Sequence, residues 1–481
     1  MSGEPEHHRR GGARTPTFDH TSFISPLTWR YGSPEMRQIW SEIHRRKLMR
    51  QIWVALASAQ HHAGLVTQVQ LAELEDNQDR VDLARSLEIE RETRHDVMAE
   101  IHAFAEQCPQ AGAIVHWGAT SADITDNADV LRMRQALNLL LERLRDLLLA
   151  LAKRIETAAD LPVIAFTHIQ PAEPTTLGYR FAVYAQDLLQ DYEDLQALHA
   201  TLRGKGFKGA TGTQASFKEL LAGSGVSATE MEADAMRRLD LPFYPIATQT
   251  YSRRQDLRVV QTLAALAATL HKFALDFRLM QSPVAGEWAE PFAERQVGSS
   301  AMPFKRNPIN MENVNSLARY VAALPAVAWD NASQAVLERS LDDSANRRLF
   351  LPEGCLLVDE MLRRCTRIVK GMTLDEKTVA ANMARYGPFA ATERVLMALV
   401  TAGADRQQAH EWLRRASHKA LERVREGAGD NPLPELLASD PRITNLLPPE
   451  RLRDLMNTTT YVGTAPERAR ALARAIQRRL A

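Results

Sequence analysis

Cysteine is nearly absent from this chain of 481 residues: only Cys108, Cys355 and Cys365 occur. Three thiols without CxxC spacing exclude a disulfide framework, so a reducing cytoplasm is the expected compartment. Glycine and proline are also scarce, at 23 each, below their average share of roughly 12% together. Few chain breakers in a long chain favour helix over many short strands. No excess of either charge exists, since 59 Lys and Arg balance 59 Asp and Glu. A general nucleic-acid or membrane-surface binder would need a basic surplus, so both classes are set aside. No run approaches 18 uninterrupted apolar residues, so no membrane span is expected. The N-terminus is polar and lacks the apolar stretch of a secretory signal, so residues 1–22 read as a disordered extension.

What is present is ordinary for a large globular protein: 45% hydrophobic and 25% charged residues. Length alone suggests about three domains or one elongated one. Helical periodicity dominates. From Asp126 to Ala158, Leu137, Leu140, Leu141, Leu144, Leu147, Leu148, Leu151 and Ile155 recur at three- and four-residue steps, the mark of a long helix with a wide apolar face. Similar patterns run from about Thr175 to Leu202, Asp256 to Met280, Pro308 to Trp329 and Leu351 to Met372. Shorter ones include Pro34–Ala63 and Leu87–Gln107. The expected fold class is all-α: a central bundle of long helices (119–372) between two smaller helical domains (23–118 and 373–481).

Between the long patterns lie polar, glycine-bearing segments: WGATSADITDN, FTHIQPAEPTT, RGKGFKGATGTQAS, TQTYSRRQD, VGSSAMPFKRNPINMEN and ERSLDDSANRR. Loops at the ends of a rigid bundle are natural places for chemistry. The most specific runs from Gly298 to Glu312. A Gly-Ser-Ser run can close over a substrate, and nearby N–H groups and a lysine can stabilise an anion. It also reads as a plain surface loop ahead of a helix, with Pro308 in the first turn. Thr120 and Ser121, before a helical pattern, suit either an anion site or simple N-capping. No metal set emerges, because His61/His62 and His95/His102 lack convincing ligand partners. The glycines around 204–212 do not have phosphate-loop spacing.

The pattern GSSxMPxKxNxxxxE at 298–312 resembles the signature of the fumarase/aspartase superfamily, which eliminates fumarate from succinyl compounds. RYGSPEM (30–36), RHDVMA (94–99), GATSADITDN (118–127), THIQPAEPTT (167–176), KGATGTQASF (208–217), QTYSRRQD (249–256) and LDDSANRR (341–348) follow in order. Together they resemble the adenylosuccinate lyases within that superfamily. LDDSANRR and RHDVMA are much less expected in its other branches.

The resemblance implies a C–N lyase acting on succinylated purine nucleotides: adenylosuccinate, giving AMP, and the succinylaminoimidazole carboxamide ribotide. It implies Ser299 as general base and His168 as general acid, supported by Lys305, Asn307, Glu312 and His95. Substrate contacts would come from Arg30, Tyr31, Arg94, His95, Asp96, Thr120, Ser121, Gln249, Arg339, Ser344 and Arg348, arginine being suited to phosphate by its planar fork. A homotetramer with sites shared between subunits is implied, and no cofactor or metal. Two departures stand out: Met311, where a small serine is common, and Asn313, where some members carry arginine. Other readings are a fumarate-releasing lyase with a different amine, or a non-catalytic structural relative.

Overall fold

The computed structural model describes residues 21–427 and 430–480. The extension expected at 1–22 therefore lies outside the described residues, apart from Thr21 and Ser22. The fold is mostly helical. Four long helices carry it: Ser121–Thr157, Leu177–Thr201, Arg254–Gln281 and Asp342–Gly371. In the first, Leu137, Leu140, Leu144, Leu147, Leu148, Leu151 and Ile155 have no exposed surface. Each such leucine contributes about 1.5–3 kcal/mol by leaving water. None of the described helices is long and apolar enough to cross a membrane.

Three expected helices are instead pairs. Pro34–Ala63 divides into Pro34–Ile39 and Glu42–His62, because the hydroxyl of Ser41 caps the second by accepting the N–H of His44. Leu87–Gln107 divides into Leu83–Thr93 and Asp96–Gln107 at Arg94, whose φ of 56° is left-handed. Pro308–Trp329 divides into Ile309–Val321 and Leu324–Ser333, where Pro325 opens the second piece. Hydrophobic periodicity runs through each break, so it could not mark them.

Conversely, LDDSANRR is not a loop: Asp342 begins the helix that ends at Gly371, with Pro352 inside it. FTHIQPAEPTT is not a loop either. Pro162–Thr167 and Gln170–Thr176 form an antiparallel hairpin that pairs Thr167 with Gln170. Pro171 and Pro174 donate nothing to a ladder, which a strand without further neighbours tolerates. A second small pair joins Trp288–Ala289 to Thr373–Leu374.

The chain clusters into two compact units. The first comprises 1–141, 195–264 and 321–360, the second 142–194, 265–320 and 361–481. Within the second, the helices between Glu376 and Met456 enclose their own core around Leu399, Leu413, Leu437 and Leu452. The three thiols are free and buried.

Candidate active site

The first unit contains a cavity of about 640 Å³, lined by five separate stretches of chain. Nine of the eleven residues expected to contact substrate line it: Arg94, His95, Asp96, Thr120, Ser121, Gln249, Arg339, Ser344 and Arg348. Its wall holds seven arginines against five carboxylates, a cationic excess that favours an anionic ligand. Arg30 and Tyr31 are not in the lining. They follow the turn Pro26–Thr28, where Arg30 lies over the Trp29 ring and the Tyr31 carbonyl accepts from Arg37.

Each lining group is placed by a local device. Arg94 ends one helix in a left-handed conformation and His95 caps the next, its Nδ1 accepting the N–H of Met98 at 3.3 Å. Asp96 follows, its carboxylate 3.1 Å from both Arg45 and Arg348. Partial burial opposes ionisation of Asp96, but the two guanidiniums prevail and hold it below the usual carboxylate range. Burial acts in the same way on Asp129, and Arg132, Arg347 and Arg45 outweigh it. These carboxylates order the arginines without neutralising the wall.

Thr120 and Ser121 stand where the helix Ser121–Thr157 begins. Asp123 fixes this start: its Oδ2 accepts the Thr120 N–H at 2.9 Å, and its oxygens also take the N–H groups of Lys208 and Gly209. The ammonium of Lys205 completes the set. Upstream, Trp53 donates its indole N–H to Nδ1 of His116 at 3.0 Å, and burial pushes that histidine down to about 4. It is therefore a neutral anchor for the loop entering the site. Gly212 has a φ of 87°, and a Cβ there would stand 1.9 Å from the Ala247 carbonyl. Only glycine lets this loop approach the segment bearing Gln249, whose amide donates to the carbonyl of Ala210.

Behind Arg339 lies a buried ionic frame. Arg253 grips Asp126 with two nitrogens at 3.0 and 3.1 Å and reaches Asp343 with the third. Arg347 contacts Asp256, Asp129 and the hydroxyl of Tyr251. Arg348, by contrast, is 60% exposed and bound only to Asp96 among the described ion pairs. The motifs contain Asp123, Asp126, Arg253 and Arg347, yet their structural roles escaped sequence reasoning. The partners are 82 to 127 positions apart, and no periodic signal links them.

The residues expected to move protons belong to the second unit. His168 and Ile169 form the two-residue turn of the hairpin, with φ of 55° and 59°. Positive φ at both central positions is the mark of a type I′ turn, normally an Asn-Gly sequence. A branched Ile there carries strain, which concentrates at functional sites. Both side chains are exposed. Ser299 opens a tight turn in which its Oγ accepts the N–H groups of Ala301 and Met302, at 3.3 and 3.1 Å. Two amides aimed at one oxygen favour its deprotonated form. Asn307 closes the loop by donating to the Gly298 carbonyl at 3.0 Å, while Lys305 is exposed. Glu312 is half-exposed, 3.6 Å from Arg278. Met311 is fully buried in the first turn of its helix, so the departure there serves packing. Among the described residues no group of three or more His, Cys, Asp or Glu is arranged to hold a metal.

This mostly helical architecture is that of a lyase, and residues 30–323 match the lyase family model. The fumarate lyase of Mesorhizobium sp. BNC1 is 25% identical with a TM-score of 0.81, over 92% of this chain and 98% of that one. The 3-carboxy-cis,cis-muconate lactonizing enzyme of Pseudomonas putida is 28% identical with a TM-score of 0.83, over 94% and 98%. Residues 388–472 match the model of the adenylosuccinate lyase C-terminus. The adenylosuccinate lyases of Schizosaccharomyces pombe and Saccharomyces cerevisiae are each 38% identical over 93% of both chains, and that of Archaeoglobus fulgidus is 35% identical over 94% and 98%. The chain belongs to the adenylosuccinate lyase family.

Proposed function

We propose that the protein is a C–N lyase that releases fumarate from adenylosuccinate, leaving AMP, and from the succinylaminoimidazole carboxamide ribotide of the same purine pathway. The observation that carries this reading is the convergence of nine motif residues, from four distant stretches, on one cationic cavity. Its arginines suit a phosphate and two carboxylates, the anionic groups such substrates share.

In this reading Ser299 removes the proton from the carbon beside a succinyl carboxylate. The electron pair forms the fumarate double bond, the C–N bond breaks, and His168 protonates the departing nitrogen. The Ala301 and Met302 amides on Oγ make the serine a better base, and Lys305, Asn307 and Glu312 support the loop. Thr120, Ser121, Gln249 and Arg348 hold the substrate, with Arg94, His95, Asp96, Arg339 and Ser344 around them. Arg30 and Tyr31 contribute to nucleotide binding. The protein works in the cytoplasm as a homotetramer whose sites combine segments of different subunits. Exposed apolar side chains on the long helices, such as Leu275 and Leu279, suit such contacts. The central domain spans 119–372, with smaller helical domains at 23–118 and 373–481.

A direct assay tests this: purified protein with adenylosuccinate should yield AMP and fumarate in equal amounts, and Ser299→Ala should abolish both. No product from correctly assembled protein would remove the substrate assignment.

A further inference from the structure

The loop that carries Ser299 hangs from a neck. Gly298 and Asn307 close it, and a Cβ on Gly298 would stand 2.0 Å from the Lys305 carbonyl, so the chain folds back on itself where a side chain would clash. Beyond the neck, the chain leaves along a second set of bonds that no substrate contact requires. Glu290, nearly buried, accepts the N–H of Met311 at 2.8 Å through Oε1. Its Oε2 accepts both the backbone N–H and the side-chain amide of Asn310, at 3.3 and 2.7 Å. The backbone N–H of Glu290 donates to Gln281, whose amide donates to the carbonyl of Arg306 at 3.1 Å.

Asn310 joins this frame to the helix Asp342–Gly371. Its Oδ1 accepts from Arg364 at 3.1 Å and from Arg367 at 2.6 Å. A carboxylate can only accept and a guanidinium only donate, so the amide has one possible orientation and uses both ends. Aspartate would set a second negative charge against Glu290, and a hydroxyl is too short to span both partners. Asparagine is the residue that connects an anion on one side to two cations on the other.

We infer that Glu290 and Asn310 are positioning residues: with Arg364 and Arg367 they form a latch that fixes the exit of the Ser299 loop and thereby aims its hydroxyl. Neither touches the reacting atoms. This rests on the proposed role of Ser299 for its kinetic consequence, but not for its mechanical one. An anchored loop exit restricts how far the loop swings, and misaiming a base that acts only in the transition state lowers turnover while leaving KM nearly unchanged.

The test uses the full-length protein, Asn310→Ala, and Arg367→Ala as a milder cut at the surface end of the latch. Trypsin cleavage between Lys305 and Arg306 reads loop mobility, and steady-state kinetics with adenylosuccinate read its aim. Asn310→Ala should be cut there about fivefold faster with an unchanged melting temperature, and its kcat should fall about tenfold while KM moves less than about threefold. Arg367→Ala should lie between it and the parent, and Arg367→Lys should recover most of the loss. Should Asn310→Ala not fold, the two Arg367 variants carry the comparison. Parental cleavage in the folded variants would overturn the latch, as would a kcat loss without faster cleavage. A parent protein inert toward adenylosuccinate would remove the functional reading alone, and the cleavage rates would still decide the latch.

Discussion

Lys205 directs its ammonium at Asp123 across 2.6 Å, in a place where neither side chain has any exposed surface. The pair is asymmetric. Asp123 also accepts three backbone N–H groups, from Thr120, Lys208 and Gly209, whereas among the described residues Lys205 has only the Gly209 carbonyl besides. The carboxylate is thus solvated by the fold; the ammonium depends on the carboxylate. Asp123→Asn should therefore cost about 3–5 kcal/mol by stranding a buried cation, and Lys205→Met distinctly less. Chemical denaturation of both variants checks the order, and equal losses would show that the amides do not stabilise Asp123.

Two arginines of the cavity should separate binding from stability. Arg253 neutralises Asp126 and Asp343, all three buried; without it Asp126 keeps the Tyr251 N–H and Arg347 at 3.8 Å, and Asp343 keeps Arg339, so Arg253→Ala should lower stability by about 3 kcal/mol. Arg348 is largely exposed, and Asp96 keeps Arg45 without it. Arg348→Ala should change stability by less than about 0.5 kcal/mol. Losing charged hydrogen bonds to an anionic substrate costs about 1.5–3 kcal/mol, so its KM should rise roughly ten- to hundredfold. Melting curves and KM values measured on both variants test the division of labour.

How far the sequence discloses this site depends on the kind of signal. The helix Ser121–Thr157 announces itself through leucines at helical steps, and Thr120, Ser121, Gln249 and Arg348 through motifs that converge on one cavity. The hairpin at His168 stayed hidden because its turn uses His-Ile, not Asn-Gly, and its second strand contains two prolines. The apolar pattern is legible only from Leu351, yet the helix starts at Asp342 and passes through Pro352. The breaks at Arg94 and Ser41 are set by a single dihedral angle or a single cap, which periodicity averages away. Asp123–Lys205 and Asp126–Arg253 are distant pairs, visible only once the chain is folded.

The strained hairpin tip predicts a local trade. Ile169 is 73% exposed with a φ of 59°, and a left-handed conformation costs a side-chain-bearing residue about 1–2 kcal/mol. Glycine removes that cost but adds unfolded-state entropy of about 0.5–1 kcal/mol. Ile169→Gly should thus be neutral to stabilising by up to about 1.5 kcal/mol, where a typical glycine substitution destabilises. Thermal melts compare it with Val183→Gly, an exposed position within the helix Leu177–Thr201.

Asp191 makes stability depend on pH in a direction opposite to most carboxylates. Burial, opposed by a bond from Thr269 and reinforced by Asp194 and Asp187, raises it to about 6. In the unfolded chain it ionises near pH 4. Between these values the unfolded state releases a proton that the folded state retains, so stability falls as pH rises through this window and levels off above about 6. The full penalty is about 3 kcal/mol at neutral pH, from roughly two units at 1.36 kcal/mol each. Asp191→Asn removes it. Its melting temperature relative to the parent should climb from pH 4 to pH 6.5 and then stay level; a difference that does not vary with pH would mean that Asp191 does not titrate in this range.

If His168 and Ser299 of one active site come from different subunits, two dead variants should revive each other. His168→Ala and Ser299→Ala each remove one of the proposed proton-transfer groups, and each alone should retain almost no turnover. In the proposed tetramers, reassembled from an equal mixture, a given site would then draw its histidine from one chain and its serine from another. Each is intact with a chance of one half, so about a quarter of the sites should be whole under random subunit exchange. If both groups came from the same chain, every site would lack one of them and activity would stay at the level of the single variants. Mixing after mild dissociation, with exchange verified by mass-tagged subunits, separates the two. Recovery near a quarter of parental activity supports shared sites, and none with exchange complete places both residues in one subunit's site.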